Sequence, residues 1–163
     1  MAASELVRSS CVLVADDSLG ALEMVGAQLR HIFGGQQIPV QVLYVTDAEN
    51  AEKALCLREF DAYSPASCRH RRQNACRVNA AFMDCEMPKR PHGPIEREAG
   101  IQVTAAVREE EERQHTPHVP IFAHSAAEDQ AQFKKPALFD DVLPKGSPLK
   151  RIEAVLREAG LFD

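Results

Sequence analysis

Four of the five short apolar runs in this chain stop abruptly on a charged or hydroxyl residue, and that pattern limits the folds open to it. "CVLVADD" ends on Asp16 and Asp17, "NAAFMD" on Asp84, "VPIFAHS" on Ser125 and "DDVLPK" on Lys145. The remaining run, "VQVLYV", stops just before Asp47. Runs this short, rich in β-branched and aromatic residues, read as buried strands. Between them lie segments with apolar residues at helical spacing. In "SLGALEMVGAQLRHIFGG" these are Leu19, Leu22, Val25, Leu29, Ile32 and Phe33, with Ser18 as cap and Gly34 and Gly35 as stop. "DAENAEKALCLREF" reads as a second helix with Ala51, Ala54, Leu55 and Leu57 or Cys56 facing inward. "IQVTAAVREEEERQ" is a third helix and "AAEDQAQFKK" a short fourth. "SPLKRIEAVLREAG" is the last, with Ser147 as cap, Pro148 at the first helical position, a stripe of Leu149, Ile152, Val155, Leu156 and Ala159, and Gly160 as stop.

Strand and helix alternate five times, and the strands are almost continuously apolar. Both features imply a parallel sheet covered on its two faces by helices, a doubly wound α/β fold. In such sheets ligands bind beyond the carboxyl ends of the strands. Asp16, Asp17, Asp84, Ser125 and Lys145 would therefore meet along one edge.

That set of residues has a chemistry. Three carboxylates at close quarters repel one another, and without a cation one of them holds its proton more tightly. Magnesium relieves this, because it takes hard oxygen ligands and keeps several waters. Asp17 and Asp84 would hold it directly, with Asp16 acting through water. Lys145 adds a point charge for a carboxylate or phosphoryl oxygen, and Ser125 a hydroxyl that can donate to one. A carboxylate nucleophile, a metal, a lysine and a hydroxyl together suit phosphoryl transfer onto an aspartate.

At these residues the chain resembles the receiver domain of two-component response regulators. "VADD" matches the acidic pair after the first strand, "MDCEMP" the phosphoacceptor strand end, "IFAHSA" the switch hydroxyl followed by a small residue, and "VLPK" the lysine. "DAENAEKAL" is similar to the family's second helix. The resemblance covers residues 10–160 and implies a flavodoxin-like sheet of five parallel strands in the order 2-1-3-4-5. It implies that Asp84 accepts a phosphoryl group from phosphohistidine on a histidine kinase or phosphotransfer protein. Asp16, Asp17, Asp84 and the backbone carbonyl of Glu86 would hold magnesium, while Ser125 and Lys145 would engage the phosphoryl oxygens. The product is an acyl phosphate that hydrolyses, so self-phosphorylation and slow self-dephosphorylation are expected rather than turnover.

The sequence departs from the family in several places. Val142 stands three positions before the lysine, where the family often has an aromatic residue, and Gly146 follows Lys145 where proline is common. Residues 61–78, "DAYSPASCRHRRQNACRV", are polar and arginine-rich and read as an extended loop insertion. Residues 89–99 extend the loop after the third strand, "CEMPKRPHGPIEREAG" being rich in proline and glycine. The same fold used only as a protein-interaction module, a pseudo-receiver, is one alternative. A phosphatase of the haloacid dehalogenase type is another, since "DCE" echoes its nucleophile motif, but that family places its second acidic group after the lysine.

Composition narrows the rest. The 163 residues suit one core. A net charge of −5 argues against general binding to nucleic acid or anionic membrane. No apolar run is long enough to cross a membrane, and "MAASELVRSS" lacks the pattern of a secretory signal. The five cysteines, an odd number without a CxxC pair, fit a reduced cytoplasmic chain. Cys68, His70 and Cys76 match no standard zinc spacing. "REEEERQ" reads as the exposed end of a helix, and Glu86 as an exposed side chain tuning water access to the phosphoryl site. The stripe of the last helix reads as core, although receivers also form homodimers through this region. The chain leaves no room for an output domain, which suggests a stand-alone receiver or one from a hybrid histidine kinase.

Overall fold

The computed structural model describes residues 9–64, 68–72, 77–126 and 138–163. Five parallel strands form most of one sheet: β1 (Ser10–Ala15), β2 (Val40–Val45), β5 (Ala80–Met83), β8 (Ile121–Ser125) and β9 (Asp141–Pro144). They lie side by side as β2-β1-β5-β8-β9. Numbered among the parallel strands alone, that is the expected 2-1-3-4-5 order.

Helices cover both faces because each strand buries both of its own. Along β1, Cys11, Leu13 and Ala15 face one layer, where they pack with Ala51, Ala54 and Leu55 of α2 (Ala48–Leu55) and Val103 and Val107 of α3 (Ala99–Gln114). Val12 and Val14 face the other, with Leu22, Val25, Leu29 and Phe33 of α1 (Leu19–Gly35) and Ile152, Val155 and Leu156 of α4 (Leu149–Glu158). Burial on both sides is why the strands read as unbroken apolar runs rather than alternating ones. The stripe of the last helix is thus core apart from Leu149, which is exposed. Ser147 does not cap it: its hydroxyl donates to the Pro144 carbonyl at 2.6 Å, and Pro148 stands at the cap rather than at the first helical position, which is Leu149.

Three further readings of the sequence are corrected. Residues 61–78 are not simply a loop. β3 (Phe60–Ser64) and β4 (Cys68–Arg72) form an antiparallel hairpin that extends the sheet to seven strands beyond β2. Phe60 and Ala62 alternate inward and are buried, which anchors the hairpin in the core. The second helix stops at Leu55 rather than running to Phe60, because Leu57 takes a left-handed conformation (φ 58°) that ends it. Finally, "REEEERQ" is not wholly exposed. Arg108 donates to Glu111 at 2.6 Å, to Asp140 at 2.9 Å and to the Val119 carbonyl at 2.8 Å, tying α3 to the start of β8 and β9.

The loop after the third parallel strand folds back on itself through two short strands, β6 (Met87–Pro88) and β7 (Ile95–Glu96). The short helix expected at "AAEDQAQFKK" and the cysteine and histidine side chains of the 68–76 stretch lie outside the described residues. No described helix is long and apolar enough to cross a membrane.

Candidate functional site

Asp16, Asp84 and Lys145 follow their strands at once, Ser125 ends its own, and Asp17 and Glu86 lie a residue or two further on. The Asp16 amide donates to the Val45 carbonyl at 3.1 Å, the Asp84 amide to the Ala15 carbonyl at 2.9 Å and the Lys145 amide to the Ser125 carbonyl at 2.8 Å. The three backbones are thereby locked to neighbouring strands, and their side chains converge on the carboxyl edge of the sheet.

Carboxylate oxygens of Asp16, Asp17 and Asp84 lie within 4.8 Å of one another. The Lys145 ammonium stands 3.1 Å from Asp84 Oδ2 and 3.2 Å from Asp16 Oδ2. Only the contact to Asp84 has the geometry of a hydrogen bond. Asp84 Oδ1 accepts from the Glu86 amide at 3.2 Å, and Asp16 Oδ1 from the Ser18 amide at 2.9 Å. Asp16 Oδ2 is fully buried and has no hydrogen-bond partner among the described residues.

The electrostatics follow from this crowding. Burial, and then the neighbouring Asp16, push the Asp84 carboxyl up to about 7, against the pull of Lys145. Burial and Asp16 raise Asp17 as well. Burial pulls the Lys145 ammonium down, but Asp16 and Asp84 outweigh it and leave the lysine raised. One ammonium faces three carboxylates, so ionising all three leaves charge uncompensated.

A hard divalent cation fits this donor set. The oxygens are carboxylate, they are already close, and a buried one has the Lys145 ammonium at 3.2 Å but no hydrogen bond among the described residues. Asp16, Asp17 and Asp84 are the residues brought together for it. The Glu86 side chain is exposed and lies 3.8 Å from Arg97, in the extended loop.

Ser125 is buried at the end of β8, but its hydroxyl donates to the Ala126 carbonyl at 3.2 Å rather than toward Asp84. Val142 is half-buried and packs with Cys85, Ala123, Ile101 and Phe139. Gly146 adopts a left-handed conformation (φ 81°) and the chain passes Lys145 without a cis bond.

Sequence reading missed two neighbours of the site. Gly100 opens α3 directly behind Asp84, and a β-carbon there would lie 2.1 Å from the Asp84 carbonyl oxygen. Its amide donates to the Cys85 carbonyl at 3.1 Å. The hint was a glycine just before an apolar helix, in a stretch that reads as loop. His124 precedes Ser125 and is buried, which lowers its pKa; Asp16 opposes that and Lys145 adds to it. A lone polar residue inside "IFAHS" was the signal.

No protein-family model and no curated protein matches the chain. Solved structures do. A receiver domain from Methylobacillus flagellatus, described as CheY-like, superposes with a TM-score of 0.59 at 18% identity, over 93% of this chain and 98% of that one. A response regulator receiver domain from Clostridium thermocellum gives a TM-score of 0.60 at 14% identity, over 92% and 93%. The chemotaxis protein CheY4 of Vibrio cholerae gives 0.55 at 18% identity, over 93% and 98%. The chain has the receiver-domain fold. Within that fold the acidic cluster and Lys145 occupy the carboxyl edge of the sheet, while the β3–β4 hairpin lies at its far border beyond β2.

Proposed function

We propose that this chain is a phosphoacceptor signalling switch, taking a phosphoryl group from a phosphohistidine onto Asp84 in a magnesium-dependent reaction of a two-component or phosphorelay pathway. The observation that carries the proposal is the Lys145 ammonium, 3.1 Å from Asp84 and 3.2 Å from Asp16, beside a buried Asp16 oxygen without a hydrogen-bond partner among the described residues. A structural ion pair needs one acid for one base; this arrangement keeps a surplus of negative oxygens at the end of a parallel sheet.

In the reaction an Asp84 carboxylate oxygen attacks phosphorus. The new oxygen–phosphorus bond forms as the nitrogen–phosphorus bond to the donor imidazole breaks, and the bonding electrons leave with that nitrogen. Attack requires ionised Asp84, so Lys145 serves first by opposing the upward shift that burial and Asp16 impose. As charge gathers on the phosphoryl oxygens, the ammonium turns to them from Asp84, and the Ser125 hydroxyl turns from the Ala126 carbonyl. Magnesium, held by Asp16, Asp17, Asp84 and the backbone carbonyl of Glu86, would supply the positive charge that lets phosphate approach three carboxylates. The acyl phosphate is then lost to water, whose approach passes Glu86 and Arg97 on the exposed side.

The partners on this reading are a histidine kinase or a histidine phosphotransfer protein. Fluorine NMR with beryllofluoride tests it: bound fluoride resonances should appear with magnesium and be absent with EDTA or in Asp84→Asn. An unchanged spectrum with magnesium would exclude the reaction.

A further inference from the structure

Lys145 and Asp84 meet although their strands are not neighbours. Lys145 follows β9 and Asp84 follows β5, and β8 lies between the two. Paired strands stand about 4.8 Å apart, so the lysine stem bridges two such spacings, about 10 Å, to the acid. Its ammonium ends 3.1 Å from Asp84. The stem therefore crosses the end of β8, and the register decides what it crosses.

That residue is His124. Phe82 pairs with Phe122 and Met83 with Ala123, so the next pair along is Asp84 and His124. Val14 pairs with Phe82 and Ala15 with Met83, which puts Asp16 in the same row. On β9 the partner of His124 is Leu143, two residues before Lys145. Val14, Phe82, Phe122 and Leu143 all lie in the layer under α1 and α4. Strand alternation carries Asp16, Asp84, His124 and Lys145 to that same face. His124 is buried there, and Asp16 and Lys145 are the charges that its imidazole feels.

The layer is otherwise aliphatic and aromatic, so an apolar side chain would suit the place, whereas a buried polar ring calls for a partner. The ammonium has hydrogens to give. It carries three; Asp84 takes one, and the contact to Asp16 lacks hydrogen-bond geometry. Burial disfavours the charged imidazole, and the neutral ring offers one lone pair. The lysine side chain is 36% exposed, so its contacts alone keep it over the site.

We propose that His124 is a positioning residue for Lys145: its imidazole underlies the lysine stem and accepts an ammonium hydrogen when Lys145 turns from Asp84 to the phosphoryl oxygens. The ammonium then stays over the phosphoryl group instead of swinging into solvent. The inference rests on the phosphoacceptor reading of Asp84 and adds a residue that acts through Lys145.

The test compares two variants of the full chain. His124→Leu fills the place without a lone pair, and His124→Gln restores an acceptor. In mass-spectrometric time courses with acetyl phosphate and magnesium, His124→Leu should gain the phosphoryl group about tenfold more slowly than the unsubstituted chain. His124→Gln should recover most of that loss. Magnesium affinity, measured by calorimetry, should be the same in all three. In the beryllofluoride complex the Lys145 ammonium, identified by its loss in Lys145→Met, should give a resolved proton–nitrogen NMR signal. That signal should persist in His124→Gln and broaden away in His124→Leu. An unsubstituted chain that takes neither phosphoryl group nor beryllofluoride would overturn the phosphoacceptor reading and this inference with it. If the unsubstituted chain is modified, an equal rate in His124→Leu, equal slowing in both variants, or an ammonium signal unchanged in His124→Leu would overturn the role of His124 alone. So would a fall in magnesium affinity that accounts for the slower rate.

Discussion

Gly100 approaches Asp84 so closely that a β-carbon on it would stand 2.1 Å from the Asp84 carbonyl oxygen and 2.9 Å from the Cys85 α-carbon. The atoms in the way are backbone, held by the sheet on one side and by the Gly100 amide on the other. The start of α3 and the strand end bearing Asp84 are therefore one packed unit.

Gly100→Ala must move that unit. The expected cost is about 1–3 kcal/mol in urea unfolding, the range for overpacking. Because the displaced atoms belong to Asp84 and Cys85, beryllofluoride affinity should fall as well. A stable Gly100→Ala protein with unaltered affinity would show that the contact does not position Asp84.

Lys145→Met removes the ammonium that faces Asp16 and Asp84. The lysine is partly exposed, so the loss should be about 1–2 kcal/mol at pH 8. At pH 5 the loss should be smaller, because Asp84 then holds its proton and has less need of a cation. Equal losses at the two pH values would mean that the pair contributes through packing alone.

In the magnesium-free protein, stability should fall as pH rises from about 4 to about 7. The Asp84 carboxyl is raised from 3.8 to about 7 on folding, so across that window the folded chain keeps a proton that the unfolded chain has released. Raising pH then favours the unfolded state. Magnesium binding to the ionised cluster should flatten or reverse the slope. Urea titrations at pH 5, 6, 7 and 8, with EDTA and with magnesium, measure both curves; coincident curves would argue against a metal at the acids.

Phe60→Ala should cost about 3–5 kcal/mol, because Phe60 is fully buried where β3 enters the core. A melting temperature near that of the unsubstituted protein would show that Phe60 does not anchor the hairpin.

The parts legible in the sequence and those that were not differ for physical reasons. Val12 to Ala15 and Ala80 to Met83 are buried on both faces, so a composition signal alone marks them as central strands. Asp16 and Asp84 were legible because a charge ending such a run falls on the binding edge. The hairpin was not, because along β3 the buried residues are just Phe60 and Ala62, too few to show alternation beside an arginine-rich stretch. The end of α2 was hidden for a related reason: Leu57 takes a conformation that usually announces itself with glycine. Gly100 left only the hint of a glycine before an apolar helix, since its constraint comes from Asp84, sixteen positions earlier in the sequence. His124 gave a weak signal, one polar residue in an apolar strand, whose burial only the fold reveals.

The central claim is that Asp84 is the nucleophile. Intact-mass spectrometry of the chain with acetyl phosphate measures it most directly. The account predicts an added mass of one phosphoryl group that requires magnesium, is lost in mild base as acyl phosphates are, and is absent from Asp84→Asn. A chain that stays unmodified with magnesium, or an Asp84→Asn variant modified to the same extent, would contradict it.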